Sequence, residues 1–192
     1  MPNSIAFATL EVMEQRLELK VYGAHLWTRD SAKAIRIKVV EILDGLSAGD
    51  VLVLDMSGVE VFDFSFANEL FGKTALSLAT EYQGRFVVAE GLNEYTKENL
   101  VKALESMNIT MIERRGRKLN LLGKTNLLDD ATFAAIVATK EAVTANVLRE
   151  KLNLNLNAMN ERLTKLTSMG LVRRERSVST AGREQFEYSV LS

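Results

Sequence analysis

Apolar residues recur along this chain with two different spacings, and the change from one to the other marks out its elements. Val51 to Leu54 is an unbroken run of β-branched and aliphatic residues, the pattern of a strand buried on both faces. It ends at Asp55, and Ser57-Gly58 supplies turn chemistry. Beyond the turn, Ala67, Leu70, Phe71, Thr74 and Leu78 fall on one side of a helix. Ser65 stands just before that helix, where its hydroxyl can accept a backbone N–H of the first turn.

The same reading extends to both sides. Ile5 to Val12 and Leu17 to Tyr22 read as strands, the second alternating Leu17, Leu19 and Val21 with Glu18, Lys20 and Tyr22. Asp30 or Ser31 opens a helix through Ile35, Val39, Ile42 and Leu43, with Gly45 as its stop. Arg85 to Ala89 is a further strand, Asn93 opens a helix carrying Tyr95, Leu100, Val101 and Leu104, and Ile109 to Ile112 is a short closing strand. Strands alternating with helices predict an α/β domain over residues 1–113, a mixed or largely parallel sheet with packed helices.

The stretch 114–127 carries Arg114, Arg115, Arg117, Lys118 and Lys124, two glycines and no acid, and reads as a basic linker. An ordered connecting strand through Leu119, Leu121 and Leu122 is the alternative. Residues 128–192 then change character, to an α+β pattern. Asp129 begins a helix with Phe133, Ile136 and Val137 on its apolar side, and Thr144 caps a second helix containing Val147, Leu148 and Leu152. Asn153 and Asn155 suit a turn. A third helix follows with Leu156, Met159, Leu163, Leu166 and Met169 at spacings of three and four, and Gly170 stops it. Leu171 to Arg174 and Phe186 to Val190 read as two strands joined by a polar tip, Ser177 to Gly182.

Composition narrows the chemistry. Hydrophobic residues make up 47% of the 192, enough for ordinary cores, and there is no cysteine, which removes disulfides, thiolate metal sites and cysteine nucleophiles. His25 is the single histidine, a poor start for a metal site or a serine–histidine pair, so no metal, cofactor or enzymatic activity is expected. Gly72-Lys73-Thr74 and Gly123-Lys124-Thr125 are not phosphate-cradling loops, because Ala67 and Lys118 occupy the place of the required earlier glycine. No stretch approaches the ~20 apolar residues that span a bilayer. The N-terminal residues lack a basic, apolar leader pattern, so a cytoplasmic protein is expected.

The net charge of −1 conceals an opposition. Residues 1–113 hold 10 Lys and Arg against 17 Asp and Glu, a balance of −7, and residues 114–192 hold 14 against 8, a balance of +6. An anionic partner for the second part is one reading, and attraction between the two parts is the other.

Two resemblances give these patterns names. Asp55-Met56-Ser57-Gly58-Val59 followed by Asp63-Phe64-Ser65-Phe66 resembles the paired motifs of the STAS domain family, the fold of anti-sigma-factor antagonists. Phe66 to Phe71 looks closer to its poorly characterised STAS-like branch. The resemblance implies a protein partner such as a kinase-like ATPase, and it places the regulatory phosphorylation point of that family on Ser65. Phe64 and Phe66 stand where the family has serine and glycine, so the likeness bears more on the fold than on the switch. Phe62, Phe64 and Phe66 form an alternating aromatic run, part core and part candidate partner surface.

Residues 128–192 resemble the winged helix-turn-helix of bacterial repressors of the MarR and ArsR kind, chiefly over Arg162 to Val172 and the Arg173-Arg174 pair. With the third helix's apolar stripe turned inward, Asn157, Asn160, Glu161 and Thr164 face outward as base readers in a major groove. Arg149, Lys165, Arg173, Arg174, Arg176 and Arg183 are the candidate phosphate contacts. The resemblance admits a homodimer on paired half-sites. The expectation is a transcriptional regulator that binds duplex DNA through residues 128–192 and receives a signal through residues 1–113. The alternative is an adaptor that works only through protein contacts.

Overall fold

The computed structural model describes residues 12–139 and 141–191, and the expected strand Ile5 to Val12 lies almost wholly outside them. A five-stranded sheet carries β1 (Glu14–Glu18), β3 (Val51–Asp55), β5 (Phe86–Glu90), β6 (Thr110–Arg115) and β7 (Lys118–Gly123), in that spatial order. The first four strands run parallel and β7 returns antiparallel to β6. A short parallel ribbon, β2 (His25–Leu26) with β4 (Val61–Phe62), stands beside it. The protein is thus mixed α/β with a mostly parallel sheet.

Helices α1 (Arg29–Gly45), α2 (Phe64–Ala67), α3 (Lys73–Thr80) and α4 (Glu94–Ser106) accompany that sheet. A π-turn, Asn68–Gly72, joins α2 to α3 so that the two form one wound segment. Leu52, Leu54, Val87, Ala89 and Met111 bury one sheet face against these helices. Phe62 packs within that layer against Phe66 and Phe71, with ring centroids 5.8 and 5.6 Å apart. Of the alternating aromatics, Phe62 and Phe66 are core, whereas Phe64 is 44% exposed.

The second face decides the architecture. Val51, Val53, Phe86, Val88 and Ile112 alternate with the first set and point the other way, as strands buried on both sides require. They share one continuous core with residues from the C-terminal part: Phe133 and Ile136 of α5 (Leu127–Val137), Leu148 of α6 (Ala145–Lys151) and Met159, Leu163 and Leu166 of α7 (Leu156–Ser168). Between α5 and α6 lies β8 (Val143–Thr144), and it pairs with β10 (Glu184–Ser189), which pairs in turn with β9 (Arg173–Val178).

Four local expectations are corrected. The basic stretch 114–127 is no linker: Met111 to Arg115 pair in register with Lys118 to Leu122, so it forms a hairpin at the sheet edge and then enters α5. Leu119 and Leu121 supply the reason, since both pack on the shared core. Leu17 to Tyr22 is not one strand, because the chain winds into a 3₁₀ turn at Leu19–Tyr22 that delivers Leu19 to the core. Thr28, rather than Asp30 or Ser31, caps α1 by accepting the Ser31 N–H at 3.4 Å. Asp63 caps α2, its Oδ1 accepting the Phe66 N–H at 2.7 Å, and Ser65 donates its own hydroxyl to the same oxygen at 2.8 Å.

Candidate nucleic-acid interface

The C-terminal helices owe their placement to their caps. Thr144 Oγ1 accepts the Val147 N–H at the start of α6, and Asn155 Oδ1 accepts the Ala158 N–H at 2.8 Å at the start of α7. Between them Asn153 adopts a left-handed backbone, φ 53°, a conformation asparagine tolerates better than most residues. α7 then turns Met159, Leu163 and Leu166 inward, while Leu156 remains 39% exposed instead of completing the expected buried stripe. Gly170, with φ +70°, ends the helix in the left-handed region where glycine carries no steric penalty.

The opposite side of α7 is polar. Asn157, Asn160, Glu161 and Thr164 are all exposed, and their spacing of three, four and seven places them on one surface. These side chains offer amide donors and acceptors, one carboxylate and one hydroxyl. Such groups can pair with base edges.

The six candidate phosphate contacts divide by what they touch. Arg176 and Arg183 are exposed and have no carboxylate partner among the described residues. Arg174 is exposed and lies with its guanidinium carbon 4.7 Å from the Phe186 ring centroid, a cation–π contact that steadies it without neutralising it. Arg149 bonds Asn146 Oδ1 at 3.1 Å and approaches Glu150 at 3.5 Å, a surface pairing too weak to hold it from another anion. Arg173 and Lys165 sit differently. Arg173 pairs with Glu175 at 2.5 Å and packs its guanidinium against Gly49 of the sheet half. The Lys165 ammonium lies 2.5 Å from the buried carboxylate of Asp129, so its charge is already met.

Asp129 escapes sequence reasoning. It reads as a helix-start residue, yet it is buried, accepts from Asn126 Nδ2 at 2.8 Å, and also faces Arg162 at 3.6 Å. One carboxylate on α5 thereby clamps two turns of α7. The partners are more than thirty residues apart in the chain, so no local pattern announces the pairing.

On the sheet half, Ser65 is half-buried beside Asp63, whose Oδ2 accepts the Thr28 N–H at 3.2 Å. Burial pushes the Asp63 carboxyl up, but hydrogen bonds from the Phe66 and Thr28 N–H groups and from Ser65 outweigh it and hold it below the usual carboxylate range. Glu69, in the π-turn, is fully buried with Lys73 at 2.7 Å and Arg36 at 3.3 Å. Its desolvation is outweighed by these two cations, and its carboxyl is likewise lowered. Among the described residues no cluster of His, Cys, Asp and Glu could hold a metal ion, and no helix is long and apolar enough to cross a membrane.

No family model matches the chain, and no curated protein does. Among solved structures, a possible transcriptional regulator from Methanosarcina mazei Go1 is similar at 14% identity, with a TM-score of 0.33. The match covers 35% of this chain and 57% of that one, and a likeness so distant carries no argument.

Proposed function

We propose that the protein is a transcriptional regulator that binds duplex DNA. Residues 128–192 act as a winged helix-turn-helix, with α7 as the recognition helix in the major groove and the β9–β10 hairpin as the wing. A single observation carries the reading: the exposed, uniformly polar surface of Asn157, Asn160, Glu161 and Thr164 stands on a helix whose other side is locked in a core, in the same unit as a wing bearing Arg174, Arg176 and Arg183. Fixed base readers flanked by unneutralised cations are what specific binding needs, because phosphate contacts position the protein and base contacts discriminate. Asn157 and Asn160 suit adenine edges, and Glu161 can accept from a cytosine amino group. Residues 1–113 serve as the STAS-like, signal-receiving part. The test is selection of bound sequences from random duplex DNA by the intact chain, with enrichment of a motif as the expected result.

A second reading, an adaptor acting through protein contacts alone, is favoured by a different observation. Trp27 and Phe64 are 48% and 44% exposed on the two segments joined by the Thr28–Asp63 hydrogen bond, and His25 lies 6.4 Å from Trp27. Absence of any enriched DNA motif favours this alternative.

A further inference from the structure

Between the second face of the sheet and the C-terminal part lies a cleft of about 720 Å³, within the range of sites that enclose a small organic ligand. Phe86 and Leu119 of the sheet form part of its floor, and Ile136 and Val137 at the end of α5 part of its roof. Its walls are therefore mainly apolar and come from both halves of the chain.

Charged residues of both signs line the cleft: Arg114, Arg117 and Arg173 with Glu90 and Glu141. Arg114, Arg115, Arg117 and Lys118 crowd one hairpin tip, and Arg115 stands directly opposite Lys118 in the β6–β7 register, a pairing of like charges that opposes hairpin formation. Arg114 is satisfied: it bonds Glu14 through both terminal nitrogens at 2.7 and 2.9 Å and reaches Glu90 at 3.2 Å. Arg173, on the opposite wall, is taken by Glu175. Arg117 lines the cleft, is exposed, and has no carboxylate partner among the described residues. A largely apolar cleft whose one uncommitted cation is the Arg117 guanidinium matches a molecule with an apolar body and one anionic head.

We propose that this cleft is a binding site for an apolar organic carboxylate, with its hydrocarbon body against Leu119, Val137 and Val190 and its carboxylate on Arg117. Glu141 lines the roof side of the same cleft and disfavours an anion, which gives the proposal a directional check. Because floor and roof belong to different halves, an occupant touches both the sheet and the helix α5 that holds α7. The site goes beyond the DNA-binding reading and does not depend on it.

The test uses the intact protein and two fluorescent probes of similar shape and opposite charge, 1-pyrenebutyrate and 4-(1-pyrenyl)butylamine, with binding followed by pyrene emission in the absence of DNA. The carboxylate is expected to bind saturably at one site and the amine at least ~10-fold more weakly, the factor that one lost charge-assisted hydrogen bond produces. Arg117→Ala should remove that preference, Glu141→Gln should strengthen carboxylate binding, and Ala142→Trp, which fills the cleft without altering a charge, should abolish binding of both probes. Arg117 and Ala142 are exposed, so their variants are expected to keep the wild-type melting temperature. Absence of carboxylate binding, equal binding of the two probes, or binding unchanged by both Arg117→Ala and Ala142→Trp overturns the site.

Discussion

Gly170, at the end of α7, lies against Leu78 of α3: a β-carbon on Gly170 would sit 3.3 Å from Leu78 Cβ and 3.5 Å from the Arg85 carbonyl oxygen. The candidate recognition helix therefore ends on the sheet half and is not suspended from a tether. Gly170→Ala adds that contact and also forces a side chain into φ +70°. The expected cost is about 1–2 kcal/mol in urea unfolding. An unchanged urea midpoint would show that the junction is loose.

The Asp129 clamp gives a second expectation. Asp129→Ala removes a buried carboxylate that meets Lys165 and Arg162 and releases both onto the α7 surface. Lys165 is half exposed, so screening limits the loss to about 1–3 kcal/mol. Lys165→Ala should weaken DNA binding less than Arg183→Ala does, because only Arg183 has its charge free. Equal losses of DNA affinity for the two variants would contradict the clamp.

Ser65 is expected to behave as a donor to the Asp63 cap. Ser65→Ala deletes one hydrogen bond and should cost about 0.5–1.5 kcal/mol. Ser65→Asp cannot donate when ionised and places a second carboxylate beside Asp63, so it should lower the melting temperature more than alanine does. An aspartate variant at least as stable as wild type would contradict this geometry and restore Ser65 as the cap.

Acid should destabilise the fold. Glu14 is held below the usual carboxylate range chiefly by its hydrogen bond from Arg114. In Asp55 burial is outweighed by the Ser57 hydroxyl and N–H and by Arg16, and Asp63 and Glu69 are lowered as well. Each group has a folded pKa below its unfolded value, so its contribution is present above the unfolded pKa of about 4 and is lost as pH falls through the folded one. The urea midpoint should therefore fall as pH drops below about 4.5, and Glu69→Gln should flatten that fall. A midpoint that rises with acid would contradict the assignment.

Brief trypsin treatment should nick the exposed hairpin turn at Arg117 without separating the halves, because Phe133 and Ile136 share a core with Val53 and Val88. One peak on size exclusion after nicking is expected. Two independently folded fragments would contradict the shared core.

Much of this was legible in the sequence because it is written in local pattern. The Val51–Leu54 strand, the Asn93 and Thr144 caps, the α7 stripe from Met159 to Leu166 and the Gly170 stop each rest on a few neighbouring residues. What escaped is tertiary. Leu119 and Leu121 look like linker residues until the apolar second face of the sheet is known to need covering. Thr28 caps α1 from a left-handed conformation, φ 73°, that threonine rarely adopts, and Asp63 preempts Ser65 from only two residues upstream. Arg173 and Lys165 are cations like their neighbours by composition, and only contacts remote in sequence set them apart: Arg173 packs on Gly49, and the Lys165 charge is met by Asp129.

The most direct test of the central claim is fluorescence anisotropy of the intact protein on its selected duplex, titrated across a range of salt. The account expects log affinity to fall linearly with log salt, as displaced counterions require. Arg183→Ala should weaken selected and scrambled duplexes alike and reduce the slope, whereas Asn157→Ala or Asn160→Ala should lose ~1–3 kcal/mol of preference for the selected one. No duplex binding, or affinity indifferent to salt and identical for all these variants, would contradict it.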